Sequence, residues 1–239
     1  MSDYNPIAFD HTHVLYDPND ILGLVSVFFT LLPIFVMVFY LSWFLLTREI
    51  QPVVIVGGHI INELFNHVLK KVFRQPRPAF HENFGKGRID ANAPPQTIFN
   101  SLSYGMPSAH SQFMGYFMIF WALTICYQWK GLNTHKKVAG CLTLFGTTVG
   151  VVSSRVYLWY HTVEQVAVGV SVGACVGAVY FIIACLARQY GLVGWVLNWP
   201  VVKYFYVKDS FYLAPLSFED EYRDMMLRVA KSGPQKKRN

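Results

Sequence analysis

The sequence predicts an all-α protein, a polytopic membrane bundle of about five transmembrane helices, and three observations carry that reading. Apolar types make up 53% of the 239 residues and charged types only 14%, against about 25% charged in an average soluble domain. Five apolar runs, at 21 to 46, 52 to 69, 112 to 128, 138 to 157 and 163 to 187, each approach the ~20 residues that cross the core of a bilayer. The basic residues also sort by side, as they do in membrane proteins.

The first run follows "MSDYNPIAFDHTHVLYDPND", which has no Lys or Arg, and is too long for the apolar core of a cleaved signal. It is expected to stay as a span behind a tail of residues 1 to 20. The second run is interrupted by His59, Asn62, Glu63, Asn66 and His67, most at helical spacings of three and four that lead toward Lys70. Such a stripe is expected to face the bundle interior, either as a hydrogen-bonded seam or as part of a site. The loop from 79 to 106 is longer than most connections; Lys86 and Arg88 within it are either solvated or steer a polyanion inward.

The third run opens on "PSAHS", where Pro107 ends the loop, Ser108 is an N-cap, and Ala109, His110 and Ser111 form the first helical turn. The fourth ends and the fifth begins within "SRVYLWYHTVEQV". After the membrane domain of residues 21 to 187, the tail of residues 188 to 239 carries "GLVGWVLNWPVVKYFYV" from Gly191. Pro200 and the length of that stretch predict an interfacial segment, not a sixth span. Ser217 is expected to cap a short amphipathic helix, with acids in its first turn and Arg228 and Lys231 near its end. Cys126, Cys141, Cys175 and Cys185 lack C-x-x-C spacing and are assigned to packing. The "HTH" of His11 to His13 is read as solvated tail, and no metal and no cofactor are expected.

With five spans, Lys70, Lys71, Arg74, Arg77, Lys86, Arg88 and Arg155 share one side, seven in all, and thirteen Lys and Arg residues lie on the other. The positive-inside rule places the larger group, and with it the C-terminus, in the cytosol. The smaller group opposes that signal and needs another reason to exist.

Three pieces of chemistry fall on that smaller side. In "LKKVFRQPRP", Lys70 and Arg77 are seven residues apart, and Pro76 and Pro78 hold Gln75 and Arg77 extended, on a stiff strap beyond the second helix. The helix start at Ser108, Ala109 and His110 offers an anion its first-turn amides and dipole, with His110 placed to donate a proton. Arg at a bilayer centre costs at least ~2.5 kcal/mol, so Arg155 belongs near the interface or paired inside the bundle. If His161 opens the fifth helix, Glu164 and Gln165 both come within reach of its ring. Together these pieces form a phosphate site of three cations, a helix N-terminus and two imidazoles, one able to act as nucleophile and the other as acid and base.

Lys70 to Pro78, Pro107 to His110 and Ser154 to Gln165 resemble, in order, the three motifs of the type 2 phosphatidic acid phosphatase superfamily: K-x6-RP, PSGH and SR-x5-H-x3-D. The resemblance implies that His161 attacks phosphorus to give a phosphohistidine, while His110 protonates the leaving group and later activates water. It implies that Lys70, Arg77, Ser108, Ala109 and Arg155 hold the phosphoryl oxygens, without metal. Ala109 stands where the motif has Gly, and Gln165 where it has the Asp that orients the nucleophile. Gln can fix a tautomer but cannot balance an imidazolium, and Glu164 remains the alternative partner. Gln at this position, with "YGMPSAHSQFMGYF" and "DSFYLAPLSFEDEY", is similar to the fungal members of the branch that acts on dolichyl diphosphate.

What that branch implies is removal of the terminal phosphate of a polyisoprenoid diphosphate on the lumenal face of the endoplasmic reticulum membrane, in support of N-glycosylation. Lipid substrate and bilayer are the expected partners, with no nucleic acid. Lys236 and Lys237, near the C-terminus in "KKRN", resemble a dilysine signal for coat-protein recognition, or else touch anionic lipid. Two other readings remain: a phosphatase acting on phosphatidate or another prenyl diphosphate, and a non-catalytic lipid carrier.

Overall fold

The computed structural model describes residues 14, 16–17, 19–78, 104–211 and 218–232. Five long helices fall where the apolar runs predict them. They are α1 (Ile21–Thr47), α2 (Gln51–Phe73), α3 (Ala109–Leu123, prolonged by a π-helical turn, Thr124–Gln128), α4 (Thr134–Tyr157) and α5 (Val163–Gln189). Two short helices, α6 (Leu192–Leu197) and α7 (Pro200–Tyr204), and the amphipathic α8 (Phe218–Ser232) follow. No strand occurs among the described residues.

Only α1, α4 and α5 are both long and apolar enough, taken singly, to cross a membrane. The physical reason that α2 is not is its stripe: His59, Asn62, Asn66 and Lys70 are buried, whereas Ile60, Ile61, Leu64, Phe65, Val68 and Val72 are exposed. A helix with a polar interior face and an apolar exterior suits a bundle whose solvent is hydrocarbon. Glu63 and His67 leave the expected stripe; they sit on its flank, half-exposed, and pair with each other at 3.3 Å.

The interior divides along the bundle. One half is aromatic, with Tyr40, Tyr116, Phe120, Phe181 and Phe211 clustered around Ile55. The other half, where α1, α3 and α5 begin and α2 and α4 end, is polar. There Asn66 Nδ2 donates to Gln112 Oε1 (2.7 Å) and to the Pro107 carbonyl (3.3 Å), and Gln112 Nε2 donates to Asn62 Oδ1 (2.9 Å). The stripe on α2 is therefore a seam that bonds α2 to α3 and to the turn ahead of it.

Helices α3 and α5 both start at the polar end, so they run parallel, and they touch backbone to backbone. A Cβ at Gly169, Gly173 or Gly177 would collide with the carbonyls of Ser108, Gln112 and Tyr116 in turn, and one at Gly115 with the Val170 carbonyl. Both rows step by four residues, so the glycines of α5 match the carbonyl ladder of α3 over two turns. Without water to drive association, close packing of this kind is what holds helices together in lipid.

At the far end the tail doubles back. Ile50 N–H donates to the Lys208 carbonyl (2.8 Å) and Lys208 N–H to the Arg48 carbonyl (2.9 Å). Arg188, at the end of α5, pairs with Asp209 at 2.8 Å and lies 3.8 Å over the Phe211 ring. The expected short helix is α8, with Glu219, Asp220 and Glu221 in its first turn and Lys231 in its last; its cap, Ser217, lies outside the described residues, as do the Lys86 and Arg88 loop, His11 to His13, and Lys236 and Lys237. None of the four cysteines is buried, and Cys126 and Cys175 are exposed, so the packing role assigned to them is not an interior one.

The glycine ladder yields a stability prediction. Gly173→Ala should cost roughly 1–3 kcal/mol through overpacking, seen as a lower melting temperature in detergent, because its Cβ meets the Gln112 backbone. Gly146→Ala, with nothing near its added Cβ, should leave the melting temperature unchanged or raise it.

Candidate active site

Four local structures converge at the polar end. The first is the last turn of α2 and the strap beyond it. Lys70 is 1% exposed in that turn, and Arg74 closes the helix in a left-handed conformation, its N–H donating to the Lys70 carbonyl. Gln75 to Pro78 then leave the helix, and Arg77, 8% exposed, reaches the Tyr160 carbonyl beyond the end of α4.

The second is the start of α3. Ser108 is its N-cap, as expected: Ser111 N–H and Ser111 Oγ both donate to Ser108 Oγ, at 3.5 and 3.1 Å. Ser108 is fully buried, and its own N–H donates to the Gln165 carbonyl at 3.1 Å, so that amide is already engaged. Ala109 and His110, half-buried, form the first turn. Ala in place of Gly does no harm there, because the residue is helical.

The third is the end of α4. Trp159 adopts a left-handed conformation (φ 60°), and Tyr160 N–H donates to the Arg155 carbonyl while Trp159 N–H donates to that of Val156. This is the hydrogen-bond pattern of a Schellman motif. His161 N–H donates to the same Arg155 carbonyl at 3.1 Å, so the helix end fixes His161 directly beside Arg155. The Arg155 side chain is buried, lies 4.0 Å over the Tyr160 ring and donates to Thr30 Oγ1 at 3.5 Å. Its Nε finds no acceptor among the described residues.

The fourth is the start of α5, and here one expectation is corrected. His161 does not open α5; Thr162 caps it. Thr162 Oγ1 accepts from Gln165 N–H and Gln165 Oε1 accepts from Thr162 N–H, both at 3.3 Å, a reciprocal capping box. A residue at the third helical position turns its side chain back over the cap, which carries the Gln165 amide to His161. Gln165 Oε1 and His161 Nδ1 are 3.1 Å apart. Glu164, one position earlier, points outward and is exposed. Of the two candidate partners, Gln165 is the one in contact.

The geometry fixes the proton on His161. An amide oxygen only accepts, so Nδ1 carries the hydrogen; Arg77 Nη1, which only donates, lies 3.2 Å from Nε2, so Nε2 presents its lone pair. Arg77 Nη1 also donates to the Tyr160 carbonyl at 3.3 Å. Burial holds the imidazole well below its usual pKa, and the charges of Arg77, Arg155 and Lys70 lower it further. The ring is 3% exposed, yet it borders a cavity of about 1100 Å³ that is also lined by Pro78, Tyr157, Trp159, Val163 and Asp20. Tyr157 closes one side of that cavity by donating to Asp20 Oδ2 at 2.8 Å.

A neutral nucleophilic nitrogen, three buried cations around it and a capped helix start are the elements of a group-transfer site for an anion. Among the described residues no salt bridge engages Lys70 or Arg155. Two features escaped sequence reasoning. The T-x-x-Q capping box at Thr162 was readable as a pattern. Gln75, which the motif treats as any residue, carries no such signal, yet its Oε1 accepts from Gln165 Nε2 at 3.2 Å.

A family model described as the PAP2 superfamily matches residues 51–188 of this chain. A dolichyldiphosphatase of Saccharomyces cerevisiae is 44% identical over 228 residues, 94% of this chain and 90% of that protein. Dolichyldiphosphatase 1 of Dictyostelium discoideum is 32% identical over 95% of this chain and 93% of its own length. The human dolichyldiphosphatase 1 is 30% identical over 83% and 80%. No solved structure matches the chain.

The depressed imidazole makes a titration prediction. A lowered pKa keeps His161 neutral as pH falls through about 6.5, where a free imidazole protonates. NMR of the unligated protein in detergent should show an unprotonated His161 at pH 6. Arg77→Met removes a positive neighbour and should move the midpoint upward.

Proposed function

The chain belongs to the PAP2 superfamily, and from that membership we propose that it hydrolyses dolichyl diphosphate, with one water, to dolichyl phosphate and inorganic phosphate. The likeness to dolichyldiphosphatases points to the substrate; the single observation that carries the chemistry is the unprotonated Nε2 of His161, held against the cation Arg77 and oriented through Nδ1 by Gln165.

The terminal phosphoryl group enters from the cavity beside Pro78 and Trp159 and draws Arg77 onto its oxygens. His161 Nε2 then attacks phosphorus, forming the N–P bond as the P–O bond to the lipid phosphate breaks. Charge spreads over the phosphoryl oxygens, and Lys70, Arg77, Arg155 and the start of α3 at Ser108 and Ala109 stabilise it. His110 gives its proton to the leaving oxygen. It next takes one from a water that attacks the phosphohistidine, releasing phosphate and restoring His161.

The apolar exteriors of α1, α2 and α5 support a bilayer as the setting for this chemistry. The charge asymmetry of the loops supports a site on the side away from the cytosol and a cytosolic C-terminus; the likeness to dolichyldiphosphatases supports the endoplasmic reticulum membrane, where the product returns to N-glycosylation, and Lys236 and Lys237 resemble a coat-protein signal or else touch anionic lipid.

Detergent-purified protein, with chelator present, should release phosphate from dolichyl diphosphate, and His161→Ala should lose more than about 10³-fold of that rate. No release from the wild type would leave a lipid carrier. The leaving group of the diphosphate is itself a phosphate, with a second pKa near ~6, whereas a lipid monophosphate expels an alkoxide that needs the proton more. His110→Ala should therefore damage hydrolysis of dolichyl phosphate or phosphatidate far more than that of dolichyl diphosphate; equal losses would remove His110 from the acid role.

A further inference from the structure

Behind His161 lies a layer of hydrogen bonds that no step above uses. Gln165 Nε2 donates to the Pro76 carbonyl at 2.9 Å and to Gln75 Oε1 at 3.2 Å. On its other side Gln165 Oε1 accepts from His161 Nδ1 and from Thr162 N–H, at 3.1 and 3.3 Å. The amide is fully buried, and both N–H bonds and both lone pairs are used. The same two glutamines tie the backbone together: the Gln75 carbonyl accepts from Gly105 N–H at 2.8 Å, and the Gln165 carbonyl from Ser108 N–H at 3.1 Å.

The amide cannot be turned over without loss. Reversed, its NH2 would face the Thr162 N–H and its oxygen would face the Pro76 carbonyl, donor against donor and acceptor against acceptor. A main-chain carbonyl cannot become a donor to accommodate it. A carboxylate would fare no better, since one of its oxygens would stand against that carbonyl with no hydrogen between them. The arrangement therefore favours Gln over the isosteric Glu at position 165.

We propose that Gln75 is a positioning residue for the reaction: with the Pro76 carbonyl it fixes the Gln165 amide oxygen toward His161, which keeps the imidazole in its Nδ1–H tautomer and its bare Nε2 aimed at phosphorus. The inference rests on the reading of His161 as nucleophile. Gln75 acts through Gln165, which stands between it and His161.

Three variants of the full chain test it, each assayed for kcat and KM on dolichyl diphosphate, with the tautomer of His161 read from ¹⁵N shifts of histidine-labelled protein. Gln75→Glu keeps an acceptor of the same length and should hold kcat within about twofold. Gln75→Leu removes one acceptor and should lower kcat about tenfold with KM little changed, the equivalent of one lost hydrogen bond. Gln75→Lys sets a donor against the amide NH2; it should lower kcat further, by about a hundredfold, and shift the ring toward Nε2–H. Wild-type kcat and an Nδ1–H ring in the Leu and Lys variants would overturn the proposal, as would equal impairment of Glu and Leu, which marks a merely structural residue. If Gln75→Leu fails to fold, as judged by its melting temperature, the Glu and Lys variants carry the comparison. An active His161→Ala would instead defeat the nucleophile reading, whatever Gln75 does.

Discussion

The contact on which the rest depends is the meeting of α3 and α5 without side chains between them. Gly169, Gly173 and Gly177 let α5 lie against the carbonyls of Ser108, Gln112 and Tyr116, and the first of those carbonyls belongs to the cap of α3. In this parallel register the cap of α3 meets α5 within its first two turns, where Gly169 lies against the Ser108 carbonyl. The bond from Ser108 N–H to the Gln165 carbonyl ties that cap to the first turn of α5. Larger residues on α5 would drive the two helix starts apart by the width of a side chain, and the loops that carry the chemistry would part with them.

The second constraint is electrical. A bilayer gives little help to a buried charge, yet Lys70, Arg77 and Arg155 are all nearly inaccessible. Each of the five long helices buries a polar side chain: Thr30 in α1, Asn62 and Asn66 in α2, Gln112 in α3, Ser154 in α4 and Gln165 in α5, and Thr30 accepts directly from Arg155. A polar seam and an aromatic core thus share five helices, and the boundary between them runs near His59, which stacks on Phe113 at 3.9 Å and borders Tyr116.

Much of this was legible beforehand because membrane spans announce themselves by composition, and because three weak motifs at helix ends on one predicted side reinforce one another. Ser108 as a cap and Arg77 on a proline-stiffened strap follow from local stereochemistry, which is what sequence reports best. The choice between Glu164 and Gln165 was not legible by counting residues from His161, because it turns on where α5 starts; with Thr162 as cap, the third helical position reaches back and the second does not. The small-residue row in "GVSVGACVG" was present to be read, but only its partner carbonyls show what it is for. The clasp of Lys208 on Arg48 and Ile50 joins segments about 160 residues apart, and no local pattern marks such a pair. Gln75 was invisible for the opposite reason, being an ordinary residue made important only by the amide it faces.

The hydrogen bond between Arg77 and the nitrogen that would react has a meaning for what the resting protein leaves alone. A lone pair occupied by a guanidinium is shielded from uncharged electrophiles, which offer Arg77 nothing in exchange. Only a guest with enough negative charge to attract the guanidinium away uncovers it. If His161 is the reacting group, such a pocket would screen visitors by charge before shape or chain length is consulted, and in a membrane crowded with neutral esters the phosphate itself would open the lock.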